Sequence, residues 1–447
     1  MRIHFIAIGG SAMHNLAIAL SRSGHVVTGS DDQIFDPSRG RLEKEGLLPA
    51  TMGWNPSTIT SELDAVILGM HARADNPELL AAQEKGINIF SFPEFLYQVG
   101  KNQTRVVIAG SHGKTTTTSM VLHVLQHAGK TVDFMVGAQL EGFDCMVELS
   151  SGSEFMLLEG DEYLSSPIDP RPKFLWYKPN IAVITGIAWD HINVFPTFES
   201  YVDQFKLFIE EMEHGGVLVY NADDPVLKKL VEETAAPVKK IPFTTPEYTV
   251  QGNQVVVDTP EGPLPLQVFG KHNVSNMEAA RWMCLEMGVH DDEFYEAMAS
   301  FGGAQKRMEP IHNGDSLDVF RDFAHAPSKV KASAEALAEQ YKGKVRAVLE
   351  LHTFSSLNPA FLPQYHGALD AVDEGWVYFS PDAVAHKKLP ELSAEDVQEA
   401  FGPGIRVFTD AEELSAAVQD CAGVAAIALM SSGNFGGMDI EGWLKSL

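Results

Sequence analysis

Short apolar runs alternate with stretches of helical periodicity along the whole chain. Each run is short enough for a single strand, and a glycine or another small residue usually follows it. Strands that alternate with helices are typical of βαβ units, in which the helices cover a parallel sheet. The pattern therefore predicts an α/β fold.

Three segments repeat this organisation, and each begins with a strand-like run. The first segment, residues 1–102, has predicted strands at 3–8, 26–30, 65–68 and 87–90. The second, residues 103–312, has them at 105–108, 155–158, 181–184 and 216–220 and carries a β-rich insert at 238–269 that we expect to form hairpins. The third, residues 313–447, has them at 317–320, 345–351, 376–379 and 425–430, and predicted helices include 119–125, 201–212, 328–341 and 411–419. We expect three domains, of which the first and the last are Rossmann-like.

Charge and composition limit the partners of the chain. The 447 residues include 60 acidic and 33 basic ones, a formal net charge of −27. Such a chain repels nucleic acid and anionic membranes, so an anionic ligand needs a local site of N–H groups, cations or metal. The three cysteines form no paired motif, and no stretch resembles a signal peptide or a spanning helix. We expect a cytoplasmic protein that binds neither nucleic acid nor membrane.

A glycine loop between a strand and a helix is the clearest sign of chemistry. It contains the candidate cofactor-binding residues Gly110, Ser111, His112, Gly113, Lys114, Thr115 and Thr116. Backbone N–H groups and the helix N-terminus can hold phosphates there, while Lys114 reaches the terminal phosphates and the Thr115 hydroxyl ligates Mg²⁺. The first glycine of the usual motif falls on Ile108, so an ordinary strand–turn–helix joint stays an alternative. The loop predicts a central domain of P-loop ATPase type, with a mixed sheet and helices.

Acidic and imidazole groups follow the next strands of the second segment. Glu159 follows a strand directly, where an acid commonly holds Mg²⁺, and Asp161 and Glu162 are interpreted as supporting or helix-start acids. His191, beside Asp190 after the next strand, is a candidate ligand of a second metal, with a structural histidine as the alternative.

The first segment carries a weaker nucleotide signature. Gly9, Gly10 and Ser11 form a dinucleotide-type turn in which alanine replaces other expected glycines, and a plain turn is equally open. Three further candidates lie at strand ends, each with a solvated loop as its alternative: Asp31, His71 and Arg73.

Further polar residues that are candidates for ligand binding lie later in the chain. Asn273 and Asn276 are three apart and can share a helix face, where they either read a base or cap the helix. Arg307 either meets a phosphate or lies on the surface. The loop 431–437 follows the last strand and precedes the last helix, and we expect Ser432 and Asn434 in it to receive a carboxylate, with a plain turn as the alternative.

The ordered set of motifs resembles the Mur ligases, ATP-dependent amide-forming enzymes of bacterial cell-wall synthesis, over essentially the whole chain. The motifs are 110–116, 159–162, Asp190-His191, 272–276, Arg307 and 322–327. The resemblance implies that Lys114 and Thr115 hold the γ-phosphate and Mg²⁺, and that Glu159 and His191 bind two magnesium ions. It also implies that Asn273 and Asn276 contact the adenine of ATP. By the same resemblance, Arg307 contacts the phosphates and Asp322 contacts the ribose. The same resemblance implies that Lys206 is a metal ligand if it is carbamylated. The alternative is that Lys206 is a solvated lysine on a helix.

Within the family, the start of the chain resembles the branch that binds UDP-N-acetylmuramate. Residues 159–163, 349–352 and 430–437 resemble the members that join it to the tripeptide L-alanyl-γ-D-glutamyl-meso-diaminopimelate, through an acyl phosphate, in peptidoglycan recycling. The resemblance implies Lys114, Glu159, His191 and Arg307 as catalytic residues, ATP and Mg²⁺ as cofactors, and a monomer or homodimer.

Three other functions stay open. The first alternative is ligation of L-alanine in biosynthesis. A sensor that binds a wall precursor without ligating it is the second alternative, because Gly186 and Ala188 stand where the family usually has Asn and Glu before the Asp-His pair. Asn193, in place of an acid, and Ala326, in place of a histidine, are further departures from the family pattern. A nicotinamide oxidoreductase does not explain the loop at Lys114.

Overall fold

Parallel sheets flanked by helices form the molecule, as the α/β prediction requires. The computed structural model describes residues 1–140, 143–150, 152–252 and 254–447. They divide into two compact units, the first comprising 1–187, 202–243 and 279–291 and the second 188–201, 244–278 and 292–447. No helix among these residues combines the length and the apolar character needed to cross a membrane.

The first unit begins with a four-stranded parallel sheet in the order β2-β1-β3-β4. The strands are β1 Arg2–Ile6, β2 Val26–Ser30, β3 Ala65–Leu68 and β4 Ile89–Ser91. The helices between and after them are α1 Ser11–Arg22, α2 Ser38–Lys44, α3 Pro77–Glu84 and α4 Phe92–Gly100, with a 3-10 turn at Pro56–Thr58. Strand order reverses between β1 and β3, which is where open α/β sheets bind ligands.

A seven-stranded sheet, in the order β13-β12-β11-β5-β8-β6-β7, forms the rest of the first unit. Its strands, with the antiparallel pair β9 and β10, are β5 Thr104–Ala109, β6 Asp133–Met135, β7 Val147–Glu148, β8 Phe155–Gly160, β9 Leu164–Ser166, β10 Asp169–Pro172, β11 Ile181–Ile184, β12 Val217–Asn221 and β13 Lys239–Phe243. The helices are α5 Lys114–His127, α6 Phe198–Glu210 and α7 Pro225–Glu233, with a 3-10 turn at Lys173–Trp176. The sheet is mixed, as predicted, because β7 runs antiparallel to β6.

The second unit contains a three-stranded antiparallel sheet and a six-stranded sheet, in the orders β14-β15-β16 and β17-β18-β22-β19-β20-β21. The strands are β14 Tyr248–Gln251, β15 Gln254–Thr259, β16 Gly262–Leu266, β17 Glu309–Asn313, β18 Asp318–Asp322, β19 Lys344–Leu351, β20 Glu374–Phe379, β21 Arg406–Phe408 and β22 Val424–Met430. The remaining helices are α8 Lys271–Glu286, α9 Asp291–Met298, α10 Pro327–Gln340, α11 Pro381–His386, α12 Ala394–Phe401, α13 Ala411–Gln419 and α14 Ile440–Leu444, with 3-10 turns at Leu362–Tyr365 and Phe435–Gly437.

Two predictions about the elements need correction, and one strand was not predicted. The insert at 238–269 is not made of hairpins alone, because β13 pairs parallel to β12 in the main sheet. The acids after β8 begin no helix, since the chain continues into the β9–β10 pair. The strand β17, Glu309–Asn313, was not predicted from the sequence, and it pairs antiparallel with β18. The domain boundaries themselves stay predictions.

Burial explains why the central strands read as continuous apolar runs. The side chains of Val106, Val107 and Ile108 in β5 are fully buried, as are those of Leu157 and Leu158 in the neighbouring β8. A parallel strand covered on both faces needs apolar residues at every position. Polar residues that follow such strands therefore collect at the carboxyl edge of the sheet.

Candidate functional site

The turn between β1 and α1 is braced by an aspartate from the end of the second strand. The Gly9 N–H donates to Asp31 Oδ2 over 2.7 Å, and a Cβ at Gly9 would come within 2.9 Å of that oxygen. Ala7, at a position where a glycine is expected, has a φ of 66°. Gly10 precedes Ser11, the first residue of α1. Burial raises the pKa of Asp31 despite the Gly9 hydrogen bond. Asp31 therefore shapes the predicted substrate turn, whether or not it also contacts a ligand.

The loop after β3 lies beside this turn. The Gly69 N–H donates to the Ile6 carbonyl over 2.9 Å, because β1 and β3 are neighbours in the sheet. His71 and Arg73 in this loop are exposed, and Arg73 Nε lies 3.0 Å from Asp75 Oδ1. Their arrangement is that of the solvated loop named as an alternative, and a contact with a diphosphate stays a prediction.

The phosphate loop has the geometry that the sequence predicts. Lys114 is the first residue of α5, and Gly113 before it has a φ of 75°. The Thr117 N–H donates to the Gly113 carbonyl, so the N–H groups of the preceding turn have no acceptor within the helix. The Ser111 N–H donates to the Gly186 carbonyl over 2.9 Å, so this N–H is already in use, and a contact of Ser111 with the cofactor stays a prediction.

Lys114 is paired with a carboxylate that sequence reasoning assigned to a supporting role. Its Nζ lies 2.6 Å from Glu162 Oε2 and donates to the Gly110 carbonyl over 2.7 Å. Burial alone would lower the pKa of Lys114, but the carboxylates of Glu162, Asp161 and Glu159 raise it to about 12. Asp161 pairs instead with Lys173 at 2.6 Å. The lysine is therefore fully charged, and Glu162 holds it in place.

Glu159 and Thr115 form an oxygen pair suited to Mg²⁺. Thr115 Oγ1 donates to Glu159 Oε1 over 2.9 Å, and the Gly137 N–H donates to Oε2 over 2.7 Å. Magnesium usually takes one or two protein oxygens and completes its shell with waters and substrate phosphates. Among the described residues no group of three or more His, Cys, Asp or Glu side chains is arranged to hold a metal. The pair therefore fits Mg²⁺ bound together with a nucleotide.

Lys206 lies on α6 with about half of its side chain exposed. Its Nζ is 3.9 Å from Glu210 Oε1, one helical turn further on. This contact is that of the solvated helix lysine named as the alternative. A carbamate on Lys206 stays a prediction.

Asp190 is fixed within the second unit by a buried ion pair. Lys329 Nζ lies 3.3 Å from Asp190 Oδ2, and only 5% of Asp190 is exposed. Burial would raise the pKa of this carboxyl, but Lys329, His191 and His325 hold it far below its usual range. The His191 N–H donates to Asp190 Oδ1 over 2.8 Å, and His191 has a φ of 56°. The predicted metal ligand thus lies on a backbone turn that Asp190 stabilises.

Two predicted nucleotide residues line one cavity of about 250 Å³ in the second unit. Asn273 and Arg307 border it together with Phe269, Phe320 and Gln340. Gln340 is 5% exposed, and its Oε1 has no hydrogen-bond partner in the part of the chain that the structure describes. Asn273 and Asn276 share a face of α8, as predicted, with a weak contact of 3.5 Å between their amides. The cavity offers aromatic walls and an amide edge, a combination that suits a planar ring.

Asp322 lies elsewhere, at the carboxyl end of β18. It is 4% exposed and accepts a hydrogen bond from the Ser333 hydroxyl. Burial lowers the pKa of the nearby His272, although the Asp322 carboxylate opposes the shift. Asp322 does not line the cavity that contains Asn273 and Arg307. Its contact with a ribose stays a prediction.

The loop 431–437 already holds a carboxylate of the chain itself. Glu350, at the end of β19, accepts hydrogen bonds at Oε2 from the Phe435 N–H over 2.8 Å and from the Ser431 hydroxyl. These two donors of the loop are therefore in use, whereas the contact of Ser432 and Asn434 with a substrate carboxylate stays a prediction. The neighbouring strands β19 and β22 bring the two sequences together.

Sequence reasoning did not anticipate the roles of Glu162, Glu350, Lys329 and Gln340. Glu162 stood in a quoted motif, but its partner is 48 residues away in the sequence. Glu350 lies near the end of an otherwise apolar run, and an acid in that position was the available signal. The residues near Lys329 and Gln340 in the sequence do not indicate the contacts that these two side chains make.

The chain is similar to known proteins over most of its length. The family models described as "Mur ligase family, catalytic domain" and "Mur ligase middle domain" match residues 2–104 and 108–284. A UDP-N-acetylmuramate–L-alanine ligase from Arthrobacter sp. is 34% identical, over 94% of this chain and 90% of that protein. The solved UDP-N-acetylmuramate–alanine ligase of Thermotoga maritima is 21% identical with a TM-score of 0.74, and each chain is covered completely. The UDP-N-acetylmuramate:L-alanyl-γ-D-glutamyl-meso-diaminopimelate ligase of Neisseria meningitides is 26% identical with a TM-score of 0.61, over 67% of this chain and 98% of that one.

Proposed function

Because the chain belongs to the Mur ligase family, whose members are ATP-dependent ligases that form amide bonds, we propose that it joins the carboxylate of UDP-N-acetylmuramate to the amino group of an L-alanyl unit. The observation that carries the proposal is the arrangement of Lys114, Thr115 and Glu159 at the start of α5. It offers a charged lysine, helix N–H groups and a metal-binding oxygen pair at one point.

The chemistry follows from the weak reactivity of a carboxylate toward amines at neutral pH. Transfer of the γ-phosphoryl group of ATP to the carboxylate gives an acyl phosphate, the amine attacks its carbonyl carbon, and phosphate leaves. Lys114 and the N–H groups of the first turn of α5 hold the phosphates. Thr115 and Glu159 hold Mg²⁺, which neutralises phosphate charge when it is bound.

Free L-alanine and the tripeptide are the two candidate acceptors. Both present the same L-alanyl amine, so the bond formed is the same. The curated relatives favour free L-alanine, since the Arthrobacter protein and others at 29–31% identity carry the name of the L-alanine ligase. The tripeptide, which the sequence analysis predicted, is supported by the 26% identity to the Neisseria enzyme and by residues 430–437. We therefore place free L-alanine first and the tripeptide second.

The test is release of phosphate from Mg-ATP with UDP-N-acetylmuramate and either acceptor at equal concentration. A higher kcat/KM with L-alanine supports the biosynthetic activity, and a higher value with the tripeptide supports the recycling activity. A Lys114→Met variant controls for contaminating hydrolysis. If neither acceptor gives phosphate release, the proposal is contradicted and the sensor is the remaining function.

A further inference from the structure

The two oxygens of the Glu350 carboxylate have different surroundings. Oε2 accepts hydrogen bonds from the Phe435 N–H and the Ser431 hydroxyl. Oε1 accepts no hydrogen bond within the described residues, and His352 Nδ1, at 3.8 Å, is beyond hydrogen-bond distance. Only about 5% of the side chain is exposed. A carboxylate has about four acceptor positions, so Oε1 keeps capacity for a further donor.

The loop around this carboxylate is held in one unusual conformation. Phe435, Gly436 and Gly437 have consecutive positive φ values of 53°, 66° and 87°. Left-handed backbone at a residue with a side chain is strained, and it persists where the surroundings fix it. Here the Phe435 ring is 3% exposed in the core, and its N–H is bound to Glu350. The carboxylate and the loop therefore form a preorganised unit.

The loop packs closely against Glu350 at Gly433. A Cβ at Gly433 would lie 2.8 Å from Glu350 Oε2 and 2.8 Å from the His352 ring, and the Gly433 N–H already donates to Ser431 Oγ over 2.6 Å. The hydroxyl of Ser432 is buried and has no partner among the described residues. Three donors of the loop are thus occupied, namely the N–H groups of Gly433 and Phe435 and the Ser431 hydroxyl, whereas Glu350 Oε1 keeps its capacity for a further donor.

We infer that Glu350 binds the ammonium group of the amine substrate. The ammonium group has three N–H donors, and one of them can donate to Glu350 Oε1. A hydrogen bond between two charged groups is stronger than a neutral one, particularly where the carboxylate is largely shielded from water. The inference rests on the proposed function, because that function supplies the L-alanyl amine. It makes Glu350 a specificity residue for the acceptor.

The test compares each acceptor with its deamino analogue in the full-length protein. Calorimetry measures the binding of L-alanine and propanoate, and of the tripeptide and its N-terminal propanoyl analogue, with UDP-N-acetylmuramate and a non-hydrolysable ATP analogue present. We expect Glu350→Gln to weaken binding of the preferred amine at least tenfold and to leave its deamino analogue unchanged. The amide oxygen of this variant can still accept from Phe435 and Ser431, so the melting temperature should hold.

Glu413→Gln is the matched control, since Glu413 is a 63% exposed carboxylate of the same unit that pairs with Arg406 at 3.4 Å. It should bind both ligands as the wild type does. An equal loss of both ligands in Glu350→Gln, or no loss of either, overturns the inference while wild-type turnover leaves the proposed function intact. Absence of wild-type turnover with both acceptors overturns the proposed function, and the inference with it.

Discussion

The ammonium group of Lys114 lies 2.6 Å from the carboxylate of Glu162, and the glutamate is 1% exposed. This pair places a fixed charge at the first turn of α5, where the helix N-terminus already favours an anion. The Glu162 carboxylate thus holds the lysine at the start of α5. We expect a phosphate that binds there to compete with Glu162 for the Lys114 ammonium group.

Removal of Lys114 alone should therefore destabilise the protein as well as stop phosphate release. Lys114→Met removes the ammonium group that pairs with the buried Glu162 carboxylate, and breaking a buried ion pair costs about 3–5 kcal/mol. Lys114→Met with Glu162→Gln should recover most of the melting temperature but none of the activity. Thermal denaturation and phosphate release on the single and double variants measure the two effects.

The pair Asp161–Lys173 provides the control for this cycle. Its side chains are 36% and 23% exposed, so the single variant Lys173→Met should lower the melting temperature much less. Equal melting temperatures for Lys114→Met and its double variant would contradict the coupling of Lys114 to Glu162.

Gly137 should control the magnesium requirement through its contact with Glu159. A Cβ at Gly137 would lie 2.7 Å from Glu159 Oε1, so Gly137→Ala must displace the carboxylate. We expect the Mg²⁺ concentration for half-maximal phosphate release to rise about tenfold, a change equivalent to about 1.4 kcal/mol. Gly40→Ala, in α2, is the control, because its Cβ would meet only the side-chain end of Asp36, at 3.3 Å. An unchanged Mg²⁺ titration in Gly137→Ala would argue against Glu159 as a ligand.

The local sequence was sufficient to predict those features that depend on one strand and the residues that follow it. The phosphate loop, the Glu159 position and the alternating α/β pattern all arise in this way, because an apolar strand delivers its next residues to the carboxyl edge of the sheet. The contacts of Glu162 and Glu350 depend on strand order instead. The hydrogen bond from Phe435 to Glu350 spans 85 residues, and only the adjacency of β19 and β22 creates it.

Gly9 should affect the nucleotide-sugar substrate and leave ATP unaffected. A Cβ at Gly9 would lie 2.9 Å from both Asp31 Oδ2 and Ile34 Cγ1, so Gly9→Ala must shift the turn between β1 and α1. We expect at least a tenfold higher KM for UDP-N-acetylmuramate with an unchanged KM for ATP. Gly40→Ala, in α2, is the control, since its nearest contact is the side-chain end of Asp36 at 3.3 Å. A parallel rise of both KM values would place the effect in folding rather than in this turn.

Lowering the pH should reduce the stability of the second unit because of His325. Burial, and then the nearby Lys329, lower the pKa of His325 to about 4 from an ordinary value of 6.5. At pH 7 the folded and unfolded forms are both largely neutral at this residue. Below pH 6.5 the unfolded chain takes up a proton that the folded one does not, so stability falls until about pH 4, by about 3 kcal/mol in all.

Asp190 cannot produce this fall in stability between pH 6.5 and 4, although it lies beside His325. Its pKa is depressed by Lys329 and by the two histidines against the effect of burial, so its contribution to stability persists through that window and is lost only at lower pH. His14 and His272 also have lowered pKa values from burial and add to the slope. His325→Gln should therefore make the fall in melting temperature between pH 6.5 and 4 smaller without abolishing it. His214→Gln, at an exposed position, is the control and should leave this fall unchanged. An unaltered slope in His325→Gln would show that His325 protonates freely in the folded protein.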